Sequence, residues 1–138
     1  MGMEGGGASA GLKIGDLDDG GIYVGLSAEN GKPLHAALAD LPEYKTFDEA
    51  LAAAEQLKSL HPTAHVPTPE ELDVNLYRNK DAGKLSGTFN TIMEASSYSS
   101  CYRSSKTWGD DIAQAQWFNA GGECYYYKNL QLPVRLVW

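Results

Sequence analysis

His61 and His65 have the H-x-x-x-H spacing that, on a helix, places two imidazoles on one face as a metal-binding pair. Pro62 lies between them and breaks a helix there, no carboxylate or third ligand completes the set, and the run is not H-E-x-x-H. Histidines satisfied locally at a helix end are the expectation. Trp108-Gly109-Asp110-Asp111 offers two adjacent carboxylates, short of the roughly six or more oxygens that calcium takes. Cys101 and Cys124 form no C-x-x-C, and two thiols are too few for a disulfide framework. Free thiols and a pair meeting across a hairpin both stay open, and so does the redox compartment. No Ser-His-Asp order, nucleophile elbow or phosphate loop occurs. Gly5-Gly6-Gly7 follows no strand and reads as linker. The residues point to no enzyme, no metal and no cofactor.

The chemistry that remains is recognition. Residues 96–138 hold all 3 tryptophans and 5 of the 8 tyrosines, interleaved with Ser, Asn, Asp and Gly. Aromatics among small polar residues make a contact surface, because Tyr and Trp supply large area at low entropic cost. The same stretch ends in an apolar strand, so it belongs to the framework as well. In the run Tyr125-Tyr126-Tyr127, strand alternation sends Tyr126 one way and Tyr125 and Tyr127 the other. Exposure is expected for Tyr125 and Tyr127. Trp117 and Phe118 are expected in the core, and Arg135 in a structural ion pair.

Charge narrows the partner. The net charge is −7, which argues against a general nucleic-acid binder. Residues 1–90 carry 14 acids and 7 bases, whereas residues 91–138 carry 4 of each. The acidity sits in the scaffold and aids solubility. The near-neutral aromatic segment suits a protein or glycan surface. A chain of 138 residues makes one domain with a real core, and no run of about 18 apolar residues predicts a membrane span. Residues 1–20 read as a flexible leader or linker without the basic and apolar regions of a signal peptide. The domain is expected over residues 21–138.

These side chains need elements to hold them. Gly21 to Leu26 reads as a strand, Asn30-Gly31 as a turn, and Pro33 to Ala39 as the returning strand. Thr46 and Glu49 form a capping box for a helix running to Leu60, with Phe47, Leu51, Ala54 and Leu57 as its inward face. A short extended piece, Ala64-His65-Val66, follows. Thr68, Pro69 and Glu71 start a second helix whose inward face is Leu72, Leu76 and Tyr77, ending before Asp81. Strands are expected near Cys101–Ser104, Ile112–Asn119, Glu123–Lys128 and Val134–Trp138, with Ala120-Gly121-Gly122 a tight turn. The fold class is α+β: two helices packed on short antiparallel strands.

Four segments then line up with a known pattern. Val66-Pro67-Thr68-Pro69-Glu70-Glu71-Leu72 resembles a helix start, Tyr102-Arg103-Ser104-Ser105 a Y-W-S-S strand, Ala115 to Gly121 a strand and turn, and Val134-Arg135-Leu136-Val137 a closing V-R-x-V-R strand. In order and rough spacing they resemble C-type-lectin-like domains of the formylglycine-generating-enzyme and DUF1566-like group, over about residues 60–138. The chain departs from the pattern at Arg103, where Trp is usual, and at Trp138, where Arg is usual. The calcium-lectin loops are missing, and the two cysteines do not match the formylglycine enzymes' catalytic pair.

Within that group the chain is most similar to variable proteins of diversity-generating retroelements, of phage or archaeal-virus type. The resemblance implies a surface rewritten at Asn-type codons over about residues 92–138. Its variable positions would be Tyr98, Ser100, Cys101, Asp110, Asp111, Ile112, Tyr125, Tyr127 and Leu130. Adenine changes in such codons do not yield Trp108, Met93 or Glu123. Trp108 would be a fixed apolar anchor of the same face. The implied function is binding of a protein or cell-surface receptor from a virion or cell surface, as a free or oligomeric module or attached to a larger assembly. The alternatives are a fixed-specificity tail-fibre, adhesin or assembly domain, and a small formylglycine-generating-like enzyme.

Overall fold

The computed structural model describes residues 11–92 and 97–138. Gly5-Gly6-Gly7 and Met93, named above, lie outside the described residues. Among these residues the architecture is α+β, with two three-stranded antiparallel sheets, two helices and a short 3-10 turn at Gly83–Leu85. The first sheet has the order β1 (Leu17–Asp18), β2 (Gly21–Leu26), β3 (Pro33–Ala36). The second has the order β4 (Cys101–Trp108), β5 (Ile112–Trp117), β6 (Glu123–Tyr127). Helix α1 spans Phe47–Leu57, and α2 covers residues 69–79. Among the described residues no helix is long and apolar enough to cross a membrane.

Residues 15–18, expected in the leader, are part of the first sheet. Leu17 and Asp18 pair with Ile22 and Gly21, and Gly15 N donates to Tyr23 O at 2.8 Å. Backbone pairing ties this stretch into the first sheet.

Helix α1 begins where its sequence directs. Thr46 caps Glu49 N, and Glu49 returns a bond to Thr46 N. Of the expected face of Phe47, Leu51, Ala54 and Leu57, Phe47 and Ala54 are buried together with Ala50, and Leu57 is half-buried. Leu51 is exposed, because the core contact lies on the side of Ala50 and Ala54, where the small side chains let the helix approach Val66, Val134 and Leu136 closely.

α2 starts on a second reciprocal pair, Thr68 and Glu71. Over Glu71–Leu76 it widens into a π-helical turn. Its buried side chains bond to other elements. Asn75 Nδ2 donates to Val24 O at 2.8 Å and Leu26 O at 2.9 Å, and its Oδ1 accepts from Ala28 N. These carbonyls lie where the β2–β3 register shifts, so one amide satisfies backbone groups that the bulge leaves unpaired.

Glu71 is buried and accepts from Ser27 Oγ and His65 Nε2. His65 faces an acceptor from each nitrogen: Glu71 Oε1 at 2.8 Å and Thr63 O at 2.7 Å. Two acceptors require two N–H donors, so His65 is an imidazolium. Burial pulls its pKa down, but the bonds to Glu71 and Thr63 and the Glu71 charge outweigh this and raise it. Burial likewise raises Glu71, but the bonds from His65, Ser27 and Thr68 outweigh it, and the net pKa is lowered.

The C-terminal segment is extended, yet its pairing is divided. His35 and Trp138 exchange both backbone bonds, Ala37 N donates to Leu136 O, and on the other edge His65 and Val137 exchange theirs. The expected closing strand at Val134–Trp138 is therefore a rung between β3 and residue 65, with isolated bridges on each side. Trp138 packs flat on His61 at 3.8 Å and over Gly21, where an added Cβ would meet the indole at 2.7 Å.

The main core joins Leu72, Leu76, Tyr102, Phe118, Val24 and Val137. At its edge Arg135, fully buried, forms the expected ion pair: its Nε donates to Asp40 Oδ1 at 2.9 Å. Further Arg135 donors reach Ala37 O, Thr88 Oγ1 and Thr88 O, and the guanidinium lies over the Phe89 ring at 4.0 Å. Tyr102 donates to the second Asp40 oxygen at 2.6 Å and accepts from Asn90 N. Burial and the Asp40 charge push the Tyr102 pKa up, so the phenol stays a donor.

Removing that carboxylate leaves a buried cation. Asp40→Ala should cost about 3–5 kcal/mol by urea denaturation; a loss below about 1 kcal/mol would show that Arg135 is compensated without it. The His65–Glu71 pair sets a pH dependence. With the ordinary values at 6.5 and 4.5, its stability is complete between them. It is lost as pH rises through the raised pKa of His65, and also as pH falls through the lowered pKa of Glu71. The melting temperature should therefore decline from neutral to alkaline pH, with His65→Gln removing that pair's share of the slope. An unchanged slope in the variant would refute the imidazolium.

Candidate functional site

The β4–β5–β6 sheet carries the residues singled out for recognition, and its pleat sorts them. Registers Trp108↔Ile112 and Ile112↔Tyr127 place three side chains in one row across the sheet. Tyr125, opposite Gln114, lies two residues along β6 on the same face. This end of the face is open: Trp108 is 64% exposed, Tyr127 66% and Tyr125 43%. The Trp108 and Tyr125 rings meet edge to face at 5.4 Å, and with Ile112 they line a shallow apolar hollow. Tyr126 points to the other side, as alternation requires.

Asp110 and Asp111 occupy the exposed β4–β5 turn, where Gly109 takes φ 73°. With Thr46, Asp48, Tyr127 and Lys128 they line a second hollow beside the start of α1. Phe47 N donates to Lys128 O and Lys128 N to Asp111 O, so the helix start is fastened to this end of the sheet.

The opposite face is framework. Cys101, Ala115 and Leu132 are buried there, with Trp117, Cys124, Tyr126 and Leu130 packed around them. Ser100 and Cys101 are both 0% exposed, which removes them from the expected contact surface. Leu130 and Leu132 pack over Cys101 on this side, and Ser100 O accepts from Phe118 N. Leu130 is half-buried in the same layer. Tyr98 is partly exposed, but its ring packs on Trp117 and Tyr126, away from Trp108. Trp117 is half-buried and Phe118 fully buried.

Of the expected face, then, Trp108, Ile112, Tyr125 and Tyr127 come together with Asp110 and Asp111 beside them. Tyr98, Cys101 and Leu130 belong to the other side, and Ser100 is buried.

The thiols are free, with their sulfurs 3.1 Å apart. The contact with Cys124 and burial push the Cys101 pKa up, so it is a packed thiol rather than a nucleophile. Arg103 is buried on the same side. It donates to the carbonyls of Lys45 and Leu130, and burial lowers its pKa to about 10, which leaves it cationic at neutral pH. Where the resembled pattern carries Trp, this chain has a cation that ties the strand to two backbone carbonyls.

The two histidines serve separate contacts, His61 on Trp138 and His65 on Glu71. Among the described residues, no group of three or more His, Cys, Asp or Glu side chains is placed to hold a metal ion.

The structure adds residues that the sequence reading left out. Gln114 and Gln116 share the face of Ile112, and with Glu70, Asp73, Glu123 and Lys106 they line a polar cleft next to the aromatic hollow. The signal was there, since positions 112, 114 and 116 of one strand face the same way. No family model matches the chain, and no curated protein matches it at a significant level.

The exposed tyrosines should be separable from the fold. Tyr125→Ala with Tyr127→Ala should change stability by no more than about 0.5 kcal/mol per site. Phe118→Ala should cost about 3–5 kcal/mol. Thermal melts of the three variants give the comparison; a large loss from the tyrosine pair would make them framework.

Proposed function

We propose that this chain is a noncovalent binding module with a C-type-lectin-like scaffold, a variable protein of a diversity-generating retroelement whose contact face is the open end of the β4–β5–β6 sheet. The observation that carries the reading is the contiguous row Trp108–Ile112–Tyr127 with Tyr125 beside it: large side chains held in solvent on hydrogen-bonded strands. Exposed aromatics clustered on rigid backbone are what an energetically concentrated interface uses. Asp110 and Asp111 flank them and supply polar selectivity.

The scaffold half of the reading is supported by how the four resembling segments meet. Leu72, Tyr102, Phe118 and Val137, one from each, share a single core cluster. Side-chain changes at Asp110, Asp111, Ile112, Tyr125 and Tyr127 would alter the face and leave that core untouched. The ligand is a protein or cell-surface receptor, and no chemistry on the ligand is part of this reading.

A fixed-specificity assembly domain is the second reading, favoured by an apolar groove between α1 and the C-terminal segment. There Leu60 and Leu38 are exposed beside Leu41, Leu57 and Leu136.

Sequencing the flanking locus tests the first reading. A near-repeat of the codons for residues 96–138, differing at adenines and lying beside a reverse-transcriptase gene, is expected. Its differences should fall on Asp110, Asp111, Ile112, Tyr125 and Tyr127, and spare Trp108. A locus without such a repeat would transfer the assignment to the fixed-specificity module.

A further inference from the structure

The polar cleft beside the aromatic hollow has a chemistry of its own. β5 contributes Gln114 and Gln116, β6 contributes Glu123, and α2 contributes Glu70 and Asp73, with Lys106 also in the wall. Gln116 is satisfied: its Nε2 donates to Asp73 Oδ1 at 2.9 Å and to Gly121 O at 3.0 Å. Asp73 also accepts Arg78 Nη2 on its other oxygen.

Gln114 is different. It is 2% exposed, and its amide is oriented by Glu123, which accepts from Nε2 at 3.4 Å. The remaining atom, Oε1, is buried and accepts no hydrogen bond. A buried acceptor without a donor is unfavourable and uncommon in a folded protein. Here it belongs to a residue in the wall of an open cleft, which identifies the place where a donor from outside would fit.

The surroundings specify the donor. The lining holds three carboxylates and one ammonium; Asp73 is neutralised by Arg78, and Glu70 and Glu123 against Lys106 leave the cleft favouring positive charge. Tyr125 stands directly opposite Gln114 in the ladder, its hydroxyl is 3.5 Å from Glu123 Oε1, and its ring meets Trp108. Carboxylate, unpaired carbonyl and aromatic ring are thus adjacent on one face. A guanidinium matches all three, because its planar fork of N–H donors pairs with oxygens while its face stacks on a ring. An ammonium meets the charge requirement without the stacking.

We propose that this cleft takes an arginine side chain of a protein partner. The guanidinium donates to Gln114 Oε1 and Glu123 and lies against Tyr125, with Trp108 forming the outer wall. The assignment rests on the reading of this sheet face as a binding face and names the partner chemistry it selects.

The test uses N-acetyl-arginine N-methylamide titrated into the full chain and followed by amide NMR, with the citrulline and lysine analogues alongside. The Gln114 side-chain amide and the Trp108 indole N–H should shift saturably with the arginine compound in the millimolar range. Citrulline, similar in shape but uncharged, should bind at least about tenfold more weakly, and lysine should fall between them. Glu123 is exposed, so Glu123→Gln keeps the fold, recognised by an otherwise unchanged spectrum, and should weaken the arginine compound about tenfold. Absence of a saturable shift at Gln114, equal affinity for citrulline or lysine, or indifference to Glu123→Gln would overturn the proposal. Shifts confined to Trp108 and Tyr125, alike for all three compounds, would overturn the arginine pocket while leaving the aromatic binding face standing; failure of that face is read independently at the DNA locus.

Discussion

The Asp40 carboxylate is shared between Arg135 and Tyr102, and the assembly of the domain depends on it. Arg135 comes from the C-terminal segment, Tyr102 from β4, and Asp40 from the loop after β3. The same guanidinium gathers the carbonyls of Ala37 and Thr88. Four stretches distant in sequence are thus held by one charge-assisted network. A guanidinium taken wholly out of water is tolerable only when its donors are met and its charge is opposed. That requirement makes the arrangement close to all-or-none. The loop at 37–40, the turn at 85–90 and the last strand-like segment must all be in place before Arg135 is satisfied.

Once that frame is set, the second sheet has two unequal faces. Leu130 and Leu132 close over one, burying Cys101 and Ala115 beside a half-buried Cys124. The other is divided along its length. At one end Tyr102 and Phe118 enter the main core, their rings 4.4 Å apart. At the far end Trp108, Tyr125 and Tyr127 stand in solvent. The exposed rings therefore rest on strands whose near ends are anchored in the core. Such an arrangement suits recognition, because side chains presented on rigid backbone lose little entropy on binding. It also separates specificity from stability, since exchange of an exposed ring leaves the buried half of the strand untouched.

Buried charge is handled three ways in one small domain. Arg135 has a carboxylate, Glu71 has a protonated histidine and a hydroxyl, and Arg103 has carbonyl oxygens. Arg103 Nη1, Ser99 Oγ, Ser100 Oγ and Gln114 Oε1 are buried without a hydrogen-bond partner, and of these residues Gln114 lies in the wall of the open cleft on the proposed binding face. An unpartnered acceptor on a residue that lines an open cleft is where a partner's chemistry is best sought.

What the sequence determined alone was local. The capping boxes at Thr46–Glu49 and Thr68–Glu71, the alternation of Tyr125, Tyr126 and Tyr127, and the turns at Gly31 and Gly121 depend on residues within about four positions of one another, so they were legible without the fold. The α+β class followed from their order. Tertiary structure decided which side of each element is covered. Leu51 lost its expected place because remote residues Val66, Val134 and Leu136 approach α1 over Ala50 and Ala54. Cys101 left the surface because the chain near Leu132 lies on it. Val134–Trp138 became a shared rung because two separate segments claimed its two edges. Gln114 acquired meaning only when α2 brought Glu70 and Asp73 against its strand. Periodicity states that a strand or helix has two sides; contacts between residues tens of positions apart choose which side is core, and no local pattern encodes that choice.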